Sequence, residues 1–266
     1  MNKKYLLPVF IGILGTLLGS PPVNASTGKV LIVLSGSDHV TLQNGKIHPT
    51  GFFLPELAIP SQALEAAGFE LVFANPNGAK AAMDVLSDDV RWFSSDAELR
   101  QAEAWVNRHD GIRSPVRLSL IRSRELRTFD AIFIPGGHAP MEDLGNNRDL
   151  GRILNYFHRA SKVTAMICHG PVALLSTALT SRGFAYADYS VTAFSTAEEK
   201  QEESPLILGG QMKFYLEDAL RNSGARVTVS QPWTSSVVQD RELLTGQNPQ
   251  SLEVFVPALL KMLTGA

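Results

Sequence analysis
The chain contains one cysteine, Cys168, so no disulfide can form within it. No group of Cys and His residues has the spacing of a structural zinc site. An excess of positive charge is also missing: 24 Lys and Arg face 26 Asp and Glu, which gives no reason to expect a nucleic-acid partner. No glycine-serine linker divides the chain. Hydrophobic residues make up 44% of it, enough to bury a full core and too many for wholesale disorder.

What is present begins with an N-terminal pattern. Lys3 and Lys4 precede an apolar run over residues 5–18, and Pro21 and Pro22 lead into Val23-Asn24-Ala25, a small-x-small cleavage site. The run contains Pro8, Gly12 and Gly15 and is shorter than the roughly 20 residues of a spanning helix. Residues 1–25 therefore read as a secretory signal peptide, with Ser20 where a lipoprotein signal would need cysteine. The expectation is an exported protein, periplasmic or extracellular, with no membrane contact after cleavage. Removal of the leader leaves 22 basic and 26 acidic side chains, a mildly acidic protein. An unpaired thiol in an oxidising compartment is either buried and inert or kept for its chemistry.

Residues 26–266 read as a single α/β domain. Residues 28–35 form a β-branched apolar run, residues 60–67 are spaced as a helix stopped by Gly68, and residues 69–74 form a second strand. Residues 79–128 show no clear repeat apart from a polar helical stretch over 97–106, and are expected to be a surface excursion. Alternation resumes with strands at 130–134 and 163–167 and helices at 148–160 and 171–179. A helix at 212–222, strands at 226–229 and 243–245, and a helix at 249–262 close the chain. Such alternation predicts a mostly parallel sheet covered on both faces.

Two strand ends carry unusual residues. Residues 165–167 run straight into Cys168, followed by His169, Gly170 and Pro171 at the start of a helix. This is the layout of a nucleophile elbow, and the helix N-terminus is expected to favour thiolate over thiol. A small buried cysteine would be the plainer explanation; His169, Gly170 and the strand-to-helix position weigh against it. The second end is Pro135-Gly136-Gly137-His138, whose glycines let backbone N–H groups approach a ligand. An oxyanion hole from Gly137 and His169 is the expectation, with Gly136 and His138 as pocket residues. His138 is expected to hydrogen-bond the glycine turn. His39 and His48 precede Glu56 without ligand spacing, so no metal site is predicted.

Residues 130–138, 167–171, 216–220 and 244–249 together resemble the ThiJ/PfpI superfamily, and within it the branch of heat-shock chaperones and cofactor-independent glyoxalases of the glyoxalase III type. The resemblance spans about residues 28–262. It implies a class I glutamine amidotransferase-like, flavodoxin-like three-layer sandwich, often a homodimer, with a cysteine, a histidine and an acid at the site. Cys168 and His169 match the adjacent pair. The acid of this branch follows a Thr-x-Phe segment, and counting from Thr192-Ala193-Phe194 lands on Glu199, with Glu198 its neighbour and competitor. A second family carboxyl near the cysteine corresponds to Glu56. Ala139 replaces a usual glycine, and Pro55 stands where a polar residue is common. Amidotransferases of this fold take their histidine from a His-x-Glu segment far downstream of the cysteine. No histidine follows His169, which excludes glutamine hydrolysis by the usual triad. The implied activity is conversion of 2-oxoaldehydes such as methylglyoxal to 2-hydroxy acids through a cysteine hemithioacetal, with no cofactor or metal. Holdase chaperoning of unfolded protein clients and deglycation by the same cysteine are the rival expectations.

Overall fold
The computed structural model describes residues 27–265, so the expected leader lies outside the described residues. Strand β1 (Gly28–Val33) is buried on both faces, as its Val-Leu-Ile-Val run requires. A short hairpin follows, β2 (His39–Thr41) with β3 (Ile47–Pro49). The chain then adds β4 (Phe69–Asn75) and β5 (Val116–Arg117) on one side of β1, and β6 (Ala131–Ile134) and β7 (Val163–Ile167) on the other. Strands β8 (Ser190–Val191) and β9 (Arg226–Val227) pair only with each other, and β10 (Val237–Asp240) and β11 (Leu243–Gly246) complete the large sheet. Its order is β10-β11-β7-β6-β1-β4-β5, parallel throughout except for the β10–β11 edge. The architecture is the expected three-layer sandwich.

The period-2 alternation of strands sorts the core into two faces. Leu31, Val33, Ile132, Ile134 and Met166 point to one, where the helix Arg148–Arg159 buries Leu150, Ile153, Leu154 and Phe157. That i, i+3, i+4, i+7 stripe is what an amphipathic helix needs to lie on a sheet. Val30, Ile32, Phe133 and Ile167 point to the other, beneath the helices Leu54–Ala66, Asp96–Arg108 and Leu252–Thr264. Among the described residues no helix is long and apolar enough to cross a membrane.

Several boundaries differ from the sequence reading. The first long helix begins at Leu54, not residue 60, because Pro55 occupies its first turn and Pro60 is carried inside it. Glu56 therefore sits in that first turn. Residues 170–179 wind as a 3₁₀ helix, Gly170–Leu179. The strand expected at 226–229 shrinks to β9 and leaves the main sheet, and β10 was not foreseen. The segment 79–128 is more than a surface excursion: it supplies edge strand β5, and its helix Asp96–Arg108 buries Ala102 and Trp105.

Sheet direction positions the chemistry. The chain fills one side of β1 and then the other, so the topology switches between β1 and β6, and the carboxyl ends of β6 and β7 open beside that crevice.

Candidate active site
Strand β7 ends at Ile167, and Cys168 turns sharply with φ of +59°, a left-handed conformation that a non-glycine residue holds only at a cost of about 1–3 kcal/mol. The turn is clamped: the Cys168 N–H donates to the Gly246 carbonyl (2.9 Å), and its own carbonyl accepts from the Phe194 N–H (2.9 Å). Gly170 is required next, since a Cβ there would lie 2.4 Å from the Ile134 carbonyl oxygen. This is the elbow that the sequence layout predicts.

From the elbow a line of polar atoms runs inward. Cys168 Sγ lies 3.3 Å from His169 Nδ1, and His169 Nε2 lies 2.7 Å from Glu199 Oε2. Glu199 follows the capping residue Ser195 in the helix Thr196–Glu202, which holds its carboxylate inward despite the acidic run around it. Its second oxygen, Oε1, lies 2.9 Å from His138 Nε2. A carboxylate can only accept, so each imidazole presents Nε2–H to Glu199, leaving His169 Nδ1 free to accept from the thiol. His138 thus bonds Glu199 and stacks on His169 (centroids 4.2 Å apart) instead of serving the glycine turn.

The electrostatics follow from this sharing. Burial opposes charge on Glu199, but the two histidines outweigh it and hold its carboxyl well below the usual carboxylate range. On His138 burial opposes charge as well, yet Glu199 prevails and raises its pKa. Burial, with His138 alongside, lowers that of His169. The sharing thus favours charge on Glu199 and His138 and disposes His169 to the neutral form that a general base needs.

Glu198, the competitor, has a different task. Its buried carboxylate accepts from Ser195 N–H and Oγ, Gln247 Nε2, Asn248 Nδ2 and the Trp233 N–H, all within 3.0 Å. It ties the helix to the 244–249 motif and reaches neither Cys168 nor His169 by hydrogen bond.

Glu56 is fully buried against the Cys168 thiol and the Gly136 backbone. Gly136 makes that proximity possible, since a Cβ there would meet Cys168 Cβ at 2.5 Å and Glu56 Oε2 at 2.6 Å. Among the described residues neither Glu56 oxygen meets a partner at full hydrogen-bond geometry, and burial pushes its pKa up to about 8. Burial pushes the Cys168 thiol well up too, with Glu56 adding to the shift, while the Gly137 N–H directed at the sulfur works the other way. The thiolate expected from a helix N-terminus is therefore not the resting form. Desolvation of the 4%-exposed Cys168 outweighs the helix dipole.

His138, His169 and Glu199 present ligand atoms within 4.8 Å of one another, the one such group among the described residues. Both carboxylate oxygens are already taken by imidazole N–H groups, which a metal would have to displace. His39 pairs with Asp38 and does not join Glu56.

Above the thiol lies a cavity of about 320 Å³. Its inner end is Cys168, His169 and His138; farther out it is lined by Phe53, Trp92 and Trp233, with Asp84 and Arg91 from the 79–128 segment. The aromatic lining and the double role of Glu199 were not foreseen, since nothing local in the sequence brings residues 53, 92 and 233 together.

The chain and its fold have relatives. The DJ-1/PfpI family pattern matches residues 48–262. The chain belongs to the DJ-1/PfpI family. A relative named protein/nucleic acid deglycase HchA, from Staphylococcus aureus, is 27% identical over 225 residues, covering 83% of this chain and 75% of its own. Among solved DJ-1/PfpI-like structures, the Rapid Encystment Protein 24 KDa of Francisella tularensis superposes with a TM-score of 0.74 at 25% identity, covering 89% of this chain and 99% of that one. Glyoxalase III of Candida albicans superposes equally well (0.74) at 22% identity, covering 90% and 99%, a likeness of fold.

Proposed function
We propose that the chain is a cofactor-independent glyoxalase of the glyoxalase III type that converts 2-oxoaldehydes such as methylglyoxal to 2-hydroxy acids. The observation that carries this reading is the strained Cys168 elbow aligned with His169 and Glu199 at the inner end of a cavity. His169 Nδ1 takes the thiol proton as Sγ bonds to the aldehyde carbon, and passes it to the new oxygen, which faces the Gly137 N–H; a hemithioacetal results. His169 then removes the hydrogen of that carbon while protonated Glu56 gives its proton to the neighbouring carbonyl oxygen, forming an enediol. Return of the histidine proton to the second carbon, with the first hydroxyl proton going back to Glu56, leaves a thioester. Water adds to the thioester carbonyl, the thiol departs with its proton restored, and the 2-hydroxy acid is released.

A second reading is favoured by the deglycase relatives: the same thiol would attack early glyoxal adducts on protein side chains. The leader expected at residues 1–25 is proposed to export the enzyme, which fractionation of expressing cells tests.

The decisive assay gives purified protein methylglyoxal without glutathione and measures lactate. We expect Cys168→Ala to lose at least about a thousandfold in kcat/KM, the scale on which removal of a covalent nucleophile is felt. Equal, background product from both proteins would reject the glyoxalase reading. Release of free side chains from glyoxal-treated peptide in its place would select deglycation.

A further inference from the structure
Methylglyoxal ends in a single methyl group, and the cavity is built for more. Its volume of about 320 Å³ falls within the range of roughly 300–1,000 Å³ that holds drug-sized ligands. Its walls form an aromatic arc: Phe53 meets Trp92 edge to face at 5.1 Å, Trp92 lies 6.3 Å from Trp233, and Trp233 meets Phe194 at 5.6 Å. Phe194 in turn packs on His169 at 4.5 Å, so the arc leads to the reacting atoms.

Trp233 is held there at a cost. Its φ is +60°, an outlier for so bulky a residue and costly unless the surroundings impose it. They do. The Trp233 N–H donates to buried Glu198 Oε1 (2.8 Å), and its indole Nε1–H donates to Gln201 Oε1 (2.7 Å). The Glu198 carboxylate is itself fixed by Asn248 (2.7 Å) and Gln247 (3.0 Å), so the ring is set before any ligand arrives. An aromatic residue on a strained backbone, anchored at backbone and ring and lining the same mainly apolar cavity as the thiol, is a preformed wall for a flat substituent.

We propose that this site selects 2-oxoaldehydes bearing an aryl or similarly large apolar substituent over methylglyoxal, and that Trp233 is its specificity-determining residue. The inference rests on the glyoxalase reading for its substrate class and adds the nature of the tail.

The test compares kcat/KM for phenylglyoxal and methylglyoxal in the native protein, Trp233→Gly and Trp233→Phe. Glycine accepts the left-handed backbone and removes the ring; phenylalanine keeps a ring. Native protein is expected to favour phenylglyoxal by about tenfold, the Gly variant to cut that ratio at least about fivefold, and the Phe variant to hold it within about twofold. The change in ratio on substitution cancels the intrinsic reactivity of the two aldehydes. A native ratio near one, or a ratio indifferent to Trp233→Gly, overturns the proposal while leaving the glyoxalase reading intact. If neither aldehyde is consumed, that reading fails. The tail preference is then decided by NMR titration with the neutral product analogues mandelamide and lactamide: tighter mandelamide binding, lost in Trp233→Gly, supports it, and equal binding overturns it. Should Trp233→Gly not fold, Trp92→Ala takes its place in both comparisons.

Discussion

Glu56 keeps a buried carboxyl group next to a thiol, without a partner at full hydrogen-bond geometry among the described residues, and this arrangement has a measurable pH signature. The folded state retains a proton up to about pH 8 that the unfolded chain releases near its ordinary 4.5. The Glu56 contribution to stability should therefore fall as pH rises between those values, by about 1.4 kcal/mol per unit, and level off above. Glu56→Gln removes the titration, so urea midpoints measured from pH 5 to 9 should lose most of that slope. In the proposed chemistry the protonated form is the working one, so native kcat/KM should decline above about pH 8. A Gln variant with full activity and an unaltered alkaline limb would remove Glu56 from the reaction. Residue-scale chemistry was partly legible beforehand. Cys168, His169, Glu199 and Glu56 are brought together in the structure, and the choice between Glu198 and Glu199 turned on which carboxylate faces the imidazole. His138 was placed on the wrong partner, because a histidine after two glycines carries no local sign of a carboxylate 61 residues away.

At the scale of elements, the site depends on two strand ends held closer than side chains allow. The turn after β6 carries Gly137 at φ +89°, and a Cβ there would fall 2.1 Å from the Gly51 carbonyl oxygen and 2.9 Å from the Phe53 nitrogen. Gly137→Ala should thus lower unfolding stability by about 2–4 kcal/mol, through both left-handed strain and steric displacement. It should also reduce turnover, since its N–H would swing away from the sulfur. A thermal midpoint unchanged in this variant would contradict the geometry. Strong patterns survived translation into structure: the apolar runs of β1, β6 and β7 and the stripe at residues 150, 153, 154 and 157 lie where hydrophobic periodicity puts them. Weak patterns did not. Pro60 resembles a helix start because Pro55 and the apolar residues 52–54 hide the true one, the strand read at 226–229 shrinks to the two residues of β9, and β8, also two residues, is too short for composition to mark.

Across the whole molecule, the segment 79–128 changes meaning most. It lines the cavity through Asp84, Leu86, Arg91 and Trp92, and its attachment is specific: the Phe52 N–H donates to the Ala82 carbonyl (2.9 Å), and buried Asp84 accepts from Thr50 Oγ1 (2.6 Å) and the Leu86 N–H (2.8 Å). Asp84→Ala severs two charge-assisted bonds and frees the strap that carries Trp92. It should cost about 2–3 kcal/mol and raise KM more than it lowers kcat, because the reacting atoms lie on other elements. A drop in kcat at constant KM would argue against a wall function for this strap. The sequence by itself determined the layering of the sheet, the direction of its strands and the thiol at a strand end, because these follow from periodicity and from residues adjacent in the chain. Only the tertiary structure decided the shared carboxylate, the protonation of the thiol and Glu56, and the aromatic cavity wall. Each of those arises from groups far apart in sequence, in surroundings whose polarity is set by burial, a property no single segment possesses.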